Sequence, residues 1–319
     1  MRRFQLPEWA DDFVLASDLT SPAELSELRR RRASGDLMRV LPGAYLPRAV
    51  HNALAHERAH LATVRAAALT ARDELVFAHQ SAAVLWRMPL LGPPPSRAHV
   101  SVPPQAGGRS NQSLVRHASS RAFDPVEVDG LLTTPLARTA VDLAAALPFD
   151  AAVVVADAAL RRTKSPLAGV PLTDVSPESL RREACRIPLR RGAARASLAI
   201  NFADGAAQLP GESVSRVSML RAGVPAPVLQ QELVGASGAT YYVDFWWPQF
   251  VLIGEFDGAA KYSDPVFLAG RTPEQALLDE KAREDDLRLA GYRFCRWTWD
   301  VARNPRALRH RLALAGMPL

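Results

Sequence analysis

Three acids, Asp244, Glu255 and Asp257, and one lysine, Lys261, interrupt the apolar, strand-like run from Tyr241 to Tyr262. A carboxylate is costly to bury unless a cation, a proton or hydrogen bonds compensate it, so acids inside a hydrophobic hairpin are candidate metal ligands. Alternation along a strand puts Ile253, Glu255 and Asp257 on one face and Leu252, Gly254 and Phe256 on the other. A turn centred near Gln249 and Phe250, helped by Pro248, sets Asp244 opposite Glu255 and within reach of one divalent ion. Hard oxygen ligands suit Mg2+ or Mn2+ rather than zinc, and the chemistry that follows is metal-assisted phosphodiester hydrolysis.

Each of these residues also has a plain structural reading. Asp244 can precede a turn, and Asp257 before Gly258 is a common turn signature. Lys261 can pair with Asp257 at the surface. Glu255, between Ile253 and Phe256 in the strand interior, is the hardest to account for without function. Glu212 opens a helix that starts at Pro210 and ends before Gly223; there it either stabilises the helix dipole and pairs with Arg216, or acts as a further acid that orients metal-bound water.

The elements around the hairpin are a charged helix from Glu274 to Ala290, capped by Gly291, and a strand-like run from Tyr292 to Trp299. In that run arginines alternate with aromatics, a pattern suited to phosphate and base contacts, although tryptophan at strand spacing more often fills a core. Near the N-terminus, Ser21 caps a helix over Pro22 to Ala33 that carries Arg29, Arg30, Arg31 and Arg32. Gly35 ends it, and two short strands follow around Pro42-Gly43, the first carrying Arg39. Helix then hairpin is the tail of a winged helix, with its arginines turned to phosphate or simply solvated.

Between these ends the pattern is mixed. A helix spans Asn52 to Ala71, with His56 and His60 expected at its surface and given no role. A short helix spans Ser81 to Arg87, strands span Arg97 to Val102 and Ser113 to His117, and alanine-rich helices span Thr139 to Leu147 and Ala151 to Arg162. Residues 165–177 read as a linker, followed by one arginine-heavy helix from Arg181 to Arg195. The expected organisation is a winged-helix-like module at 1–50, a mixed α/β domain at 51–164, a linker with the arginine-rich helix at 165–200, and an α/β/α domain at 201–319. The class is α/β, in the broad α+β sense.

With 319 residues, 48% of them hydrophobic and 23% charged, the chain can bury a sizeable core. The net charge of +6 favours polyanionic partners. Only Lys164, Lys261 and Lys281 among the 39 basic residues are lysines, a bias that reads as GC-rich coding and gives weight to the lysine beside the acids. Cys185 and Cys295 lack metal-ligand spacing, the first residues are too polar for a signal-peptide core, and no stretch reaches 18 apolar residues. The expectation is a cytoplasmic protein with no membrane partner.

Residues 210–300 resemble the restriction-endonuclease-like PD-(D/E)XK superfamily, in the branch related to very-short-patch-repair endonucleases. The resemblance rests on Gly211-Glu212-Ser213 with Arg216, Val243-Asp244-Phe245, Glu255-Phe256-Asp257-Gly258 with Lys261, and Arg283, Leu287, Gly291 and Arg296. It implies that Asp244 and Glu255 bind magnesium while a basic residue assists the attacking water. Asp257 stands where the superfamily's lysine belongs, leaving that task to Lys261 or to Asp257 itself. The first 160 or so residues resemble AbiEi-type antitoxins of type IV toxin–antitoxin operons. This resemblance rests on Gly35 to Val40, Pro42 to Tyr45, Ser81 to Trp86, Thr133 to Thr139 and Val141 to Leu143. It implies a DNA-binding winged helix and a toxin or operon partner protein.

The leading expectation is a Mg2+- or Mn2+-dependent DNA endonuclease with Glu212, Asp244, Glu255, Asp257 and Lys261 in the catalytic group. Arg29, Arg30, Arg31, Arg32, Arg39, Arg283 and Arg296 would contact nucleic acid. The alternative is a non-catalytic DNA-binding antitoxin or transcriptional regulator with a degenerate nuclease-like domain. A third reading is an interaction protein whose acids form internal salt bridges.

Overall fold

The computed structural model describes residues 8–54, 56–106, 109–119, 123–164, 170–171, 173, 175–186, 192–258 and 272–319. Lys261 and most of the expected linker lie outside them. The protein is α+β, with twelve α-helices and three sheets among the described residues. It divides into two compact units, Met1–Ala203 and Asp204–Leu319.

In the first unit, β1 (Val14–Leu15) leads to α1 (Pro22–Ala33), then β2 (Leu37–Leu41) and β3 (Ala44–Pro47), in a three-stranded sheet ordered β1-β3-β2. Ser21 and Glu24 form a reciprocal capping box that starts α1. Gly43 takes φ +87°, which a Pro-Gly turn requires. Leu28, Leu37 and Tyr45 form the small core beneath α1. Arg29, Arg30, Arg32 and Arg39 are exposed and Arg31 is half-buried; Arg30 pairs with Glu27 at 2.6 Å, and Arg32 lies over the Tyr45 ring.

The expected Asn52–Ala71 helix is instead two, α2 (Arg48–Ala53) and α3 (His56–Thr70), because Leu54 is extended. Next come β4 (Val76–Phe77), α4 (His79–Leu85), β5 (Ala98–Val102), β6 (Leu114–Ala118), β7 (Val126–Val128) and β8 (Leu131–Thr133) in a mixed sheet ordered β6-β5-β4-β8-β7. Asp129 and Gly130, both at positive φ, turn β7 into β8, as a two-residue hairpin demands. Helices α5 (Leu136–Ala146) and α6 (Phe149–Lys164) follow. In place of a single arginine-rich helix there are α7 (Pro177–Cys185) and α8 (Ala193–Phe202), which pack with α5 in this unit.

His60 corrects the expectation of a surface histidine. Its side chain is buried, with Nδ1 donating to the Pro95 carbonyl at 2.8 Å and Nε2 accepting from the Ser81 hydroxyl at 3.0 Å. Burial holds its pKa down to about 4. Nearby, His79 stacks on His117 with ring centroids 3.7 Å apart, and His117 Nε2 lies 3.0 Å from His99 Nδ1. Burial first, and neighbouring imidazoles second, hold His79 at about 3 and His99 at about 4.

In the second unit, α9 (Pro210–Arg221) precedes an antiparallel run of β9 (Val228–Val234), β10 (Thr240–Trp247) and β11 (Leu252–Phe256). Helix α10 (Pro273–Leu289) then returns the chain to β12 (Arg293–Trp297), parallel to β11, and α11 (Trp299–Ala302) and α12 (Pro305–Leu314) close it. The sheet order is β12-β11-β10-β9. Phe245, Trp247, Leu252, Phe256 and Trp297 pack in one cluster with Met219, Leu308 and Leu312; Val243, Ile253 and Phe294 pack in a second with Leu287 of α10. Every residue of β11 is buried, as befits a central strand. A side chain at Gly254 would press within 2.6 Å of the Trp297 ring.

Candidate active site

The hairpin turns at Pro248–Phe250, as expected, and pairs Trp247 with Leu252 and Phe245 with Gly254. The β10–β11 pairing ends at Phe245–Gly254, and Asp244 and Glu255 are the next residues along the two strands. Asp244 Oδ2 accepts the Phe256 N–H at 3.0 Å, and Oδ1 accepts from Gln230 Nε2 at 3.2 Å. The carboxylate thus substitutes for strand pairing where β10 and β11 part.

Glu212 sits in the first turn of α9 with 1% of its surface exposed. Its oxygens accept the N–H groups of Gln208 at 2.9 Å and Leu209 at 3.1 Å, so it does cap the helix. It also accepts from Gln230 Nε2 at 3.3 Å, which ties it to Asp244. Burial first, and the charge of Asp244 second, push its pKa up to about 8 despite those hydrogen bonds. The capping and active-site readings of Glu212 are therefore not exclusive.

Glu255, 2% exposed, is held by two guanidiniums. Arg283 reaches Oε1 and Arg296 reaches Oε2 at 2.7 Å. Burial pushes the Glu255 carboxyl above its ordinary range; Arg283 opposes the shift, Asp244 adds to it and Arg296 opposes it. Asp244 therefore stands electrostatically between two buried glutamates and raises both. Arg296 also meets Asp257 at 3.5 Å, Glu280, and Glu284 at 3.0 Å, while Arg283 meets Glu280 at 3.2 Å. Expected at a phosphate-binding surface, Arg283 and Arg296 are instead turned onto carboxylates. Cys295 and Trp297 of β12 fill the core rather than meeting bases.

Gln230 is the site residue that sequence reasoning missed. It adopts φ +48° inside β9, and the β9–β10 register runs from Val243↔Gln231 to Phe245↔Leu229 without the Gln230–Asp244 step. A left-handed non-glycine residue inside a strand costs about 1–2 kcal/mol and persists where its surroundings hold it. Here the amide oxygen accepts from Gln208 Nε2 at 3.0 Å while the amide nitrogen serves both Glu212 and Asp244. Replacing Gln230 by glycine or alanine removes the same amide, so the difference between the two variants reports the backbone. The glycine variant is expected to be more stable than the alanine variant by about 1 kcal/mol in urea unfolding, the reverse of the usual order in a strand. An alanine variant as stable as the glycine one would show that Gln230 is not left-handed.

Among the described residues, no three histidine, cysteine or carboxylate side chains converge to hold a metal ion. The donor chemistry of Asp244 and Glu255 nevertheless suits a hard divalent cation, because a carboxylate with two oxygens engaged retains lone pairs. Lys261 lies outside the described residues.

No helix among the described residues is long and apolar enough to cross a membrane. No family model matches the chain, and no solved structure matches it. It is 30% identical over 192 residues to "Uncharacterized protein MT2308" of Mycobacterium tuberculosis (strain CDC 1551 / Oshkosh) and, equally, to "Uncharacterized protein Rv2248" of Mycobacterium tuberculosis (strain ATCC 25618 / H37Rv). Each match covers 58% of this chain and 62% of the relative, so the chain spans less than two thirds of the length of the curated relatives it matches.

Proposed function

We propose that residues 204–319 form a Mg2+- or Mn2+-dependent endonuclease module that hydrolyses DNA phosphodiester bonds, with α1 and its arginines helping to hold the DNA, in a cytoplasmic protein. The observation that carries this reading is Asp244 tied through the Gln230 amide to the buried Glu212 and standing at the strand end beside the buried Glu255, both glutamates pushed up by burial first and further by the Asp244 charge. Buried acids held against one another at a strand end are costly to the fold and typical of functional sites. Helix α9, the β9–β10–β11 sheet, α10 and parallel β12 follow the order that the PD-(D/E)XK resemblance implies.

In this reading Asp244 and Glu255 would hold the ion, which would supply Lewis-acid stabilisation and a more acidic water. Gln230 fixes the Asp244 oxygens, Glu212 backs Gln230, and Arg283 with Arg296 holds Glu255 in place. Lys261, or Asp257, arranges the attacking water. The test is cleavage of plasmid and single-stranded DNA with Mg2+, Mn2+ or EDTA. EDTA is expected to abolish cutting, and Asp244→Asn, which keeps the size of the side chain, to reduce it at least about 100-fold. Cutting that survives both treatments overturns the assignment.

A second reading draws on a different observation. Both Glu255 oxygens already face guanidiniums, and Asp257 stands in the lysine position. A domain in that condition binds DNA without cutting it, as an antitoxin or transcriptional regulator with a toxin or operon partner. Its signature is salt-sensitive, sequence-preferring binding with no cleavage, weakened when Arg29, Arg30, Arg31 and Arg32 are replaced by alanine. Binding to every sequence that is unchanged in this variant would sink it.

A further inference from the structure

Away from the carboxylates, the second unit carries a cavity of about 490 Å³ lined by Arg221, Ala222, Asn304, Pro305, Arg306 and Arg309. Three guanidinium side chains and no carboxylate are among the lining residues. Arg309 Nη1 donates to the Ala222 carbonyl at 2.8 Å and so ties the end of α9 to α12. The Asn304 side chain accepts the N–H groups of Arg306 and Ala307, each at 3.1 Å, and Pro305 has none to offer. The first turn of α12 is thus satisfied by its own cap, and the arginines rather than the helix amides give the cavity its character.

The placement of those arginines works against the stability of α12. A helix N-terminus is electropositive and favours acids in its first turn, yet α12 has none there and carries Arg306 instead, with Arg309 in the next turn. Arg303, stacked over Trp299 with 4.6 Å to the ring centroid, stands just before α12 in sequence. Like charges gathered at the positive end of a helix repel one another, and an anion seated among them offsets that repulsion. Guanidinium is suited to the ligand, because its planar fork meets two phosphate oxygens at once. The volume falls within the range of pockets that take small organic ligands, more than a lone inorganic ion fills.

We propose that this cavity binds a phosphate group of a nucleic-acid strand, so that the unit grips its substrate at a second point built from Arg221, Arg306 and Arg309. The proposal rests on the nucleic-acid reading of the unit but not on cleavage. Its test is therefore run on the full chain in EDTA, where cutting is not measured.

Fluorescence anisotropy of a short labelled single-stranded DNA across a salt series compares the parent with Arg221→Ala/Arg306→Ala. Arg309 is left intact because it ties the two helices. The double variant is expected to bind several-fold more weakly and to show a slope of log K against log salt shallower by about 0.7 to 1.4, one or two phosphate contacts. Arg221→Lys/Arg306→Lys is expected to keep most of the slope while losing part of the affinity, because a point charge replaces the fork. Pyrophosphate, used as the competitor, is expected to displace DNA from the parent and to do so less effectively from the alanine variant.

Unchanged DNA affinity and slope in a folded double-alanine variant overturn the proposal. So does loss of pyrophosphate binding with DNA binding intact, which would assign the cavity to a free phosphorylated ligand. Absence of DNA binding by the parent itself would count against the nucleic-acid reading as a whole, an outcome separate from either.

Discussion

Glu255→Gln is expected to lower the unfolding free energy of the second unit by about 3–5 kcal/mol, the usual cost of removing one partner from a buried ion pair. Glu255 is 2% exposed, and the Arg283 and Arg296 side chains that meet it are 19% and 21% exposed. Glutamine has nearly the same shape, so packing is preserved. What changes is that two always-protonated guanidiniums share a neutral acceptor whose amide group points donors at one of them. Urea unfolding followed by tryptophan fluorescence reads the effect, since Trp246, Trp247, Trp297 and Trp299 all lie in this unit. A loss below about 1 kcal/mol would mean that the pairs behave as solvated surface bridges. The same expectation governs how catalysis should be tested. Lost cutting in a Glu255 variant confounds chemistry with folding, whereas Asp244→Asn leaves the Glu255 ion pairs intact and keeps an acceptor for either the Gln230 amide or the Phe256 N–H, its NH2 facing the other.

The first unit is expected to lose stability as pH falls from 7 towards 4. His60, His79 and His99 have folded pKa values of about 4, 3 and 4, below the ordinary imidazole value of 6.5, and His117 is lowered too. Between those limits the unfolded chain binds more protons than the folded one. The stability these neutral rings contribute is therefore complete above about pH 6.5 and is lost as pH drops through the window towards the folded values. For His60, 1% exposed, the whole window is worth on the order of 3 kcal/mol. His79, His99 and His117 titrate as an interacting group and add to the same direction. Urea midpoints of the parent and His60→Gln at pH 7 and pH 5 measure it: the variant should show a smaller drop. Equal drops would show that His60 is accessible to protons in the folded state.

The acid pair at the hairpin was legible because it violates the sequence around it. Leu252, Ile253 and Phe256 demand a buried strand, Glu255 does not belong in one, and Pro248 opens the turn that brings the Asp244 end of β10 beside it. The ends of α10 were legible for a similar local reason, with Gly291 at φ +95° just past its last residues. What completes Glu255 was not legible as such. Arg283 and Arg296 lie 28 and 41 residues further along, in a charged helix and an alternating strand where arginine ordinarily faces solvent. Gln230 left no trace, because β9 is half polar and a left-handed backbone at glutamine has no compositional signature. His60 was misread because a helix of alternating charge and alanine gives little sign of which face is covered. The Asp129-Gly130 hairpin, by contrast, carries its signature in the sequence, an Asp-Gly pair between two short strands.

The parallel pairing of β11 with β12 imposes an order on biosynthesis. A chain emerging from the ribosome presents Asp244 and Glu255 long before residue 293, yet the strand that flanks Glu255 and the Arg296 that neutralises it come only after α10. Until then β11 has only β10 beside it, and Glu255 lacks one of its two cations. The charge-compensated centre is therefore complete only once residue 296 has been made.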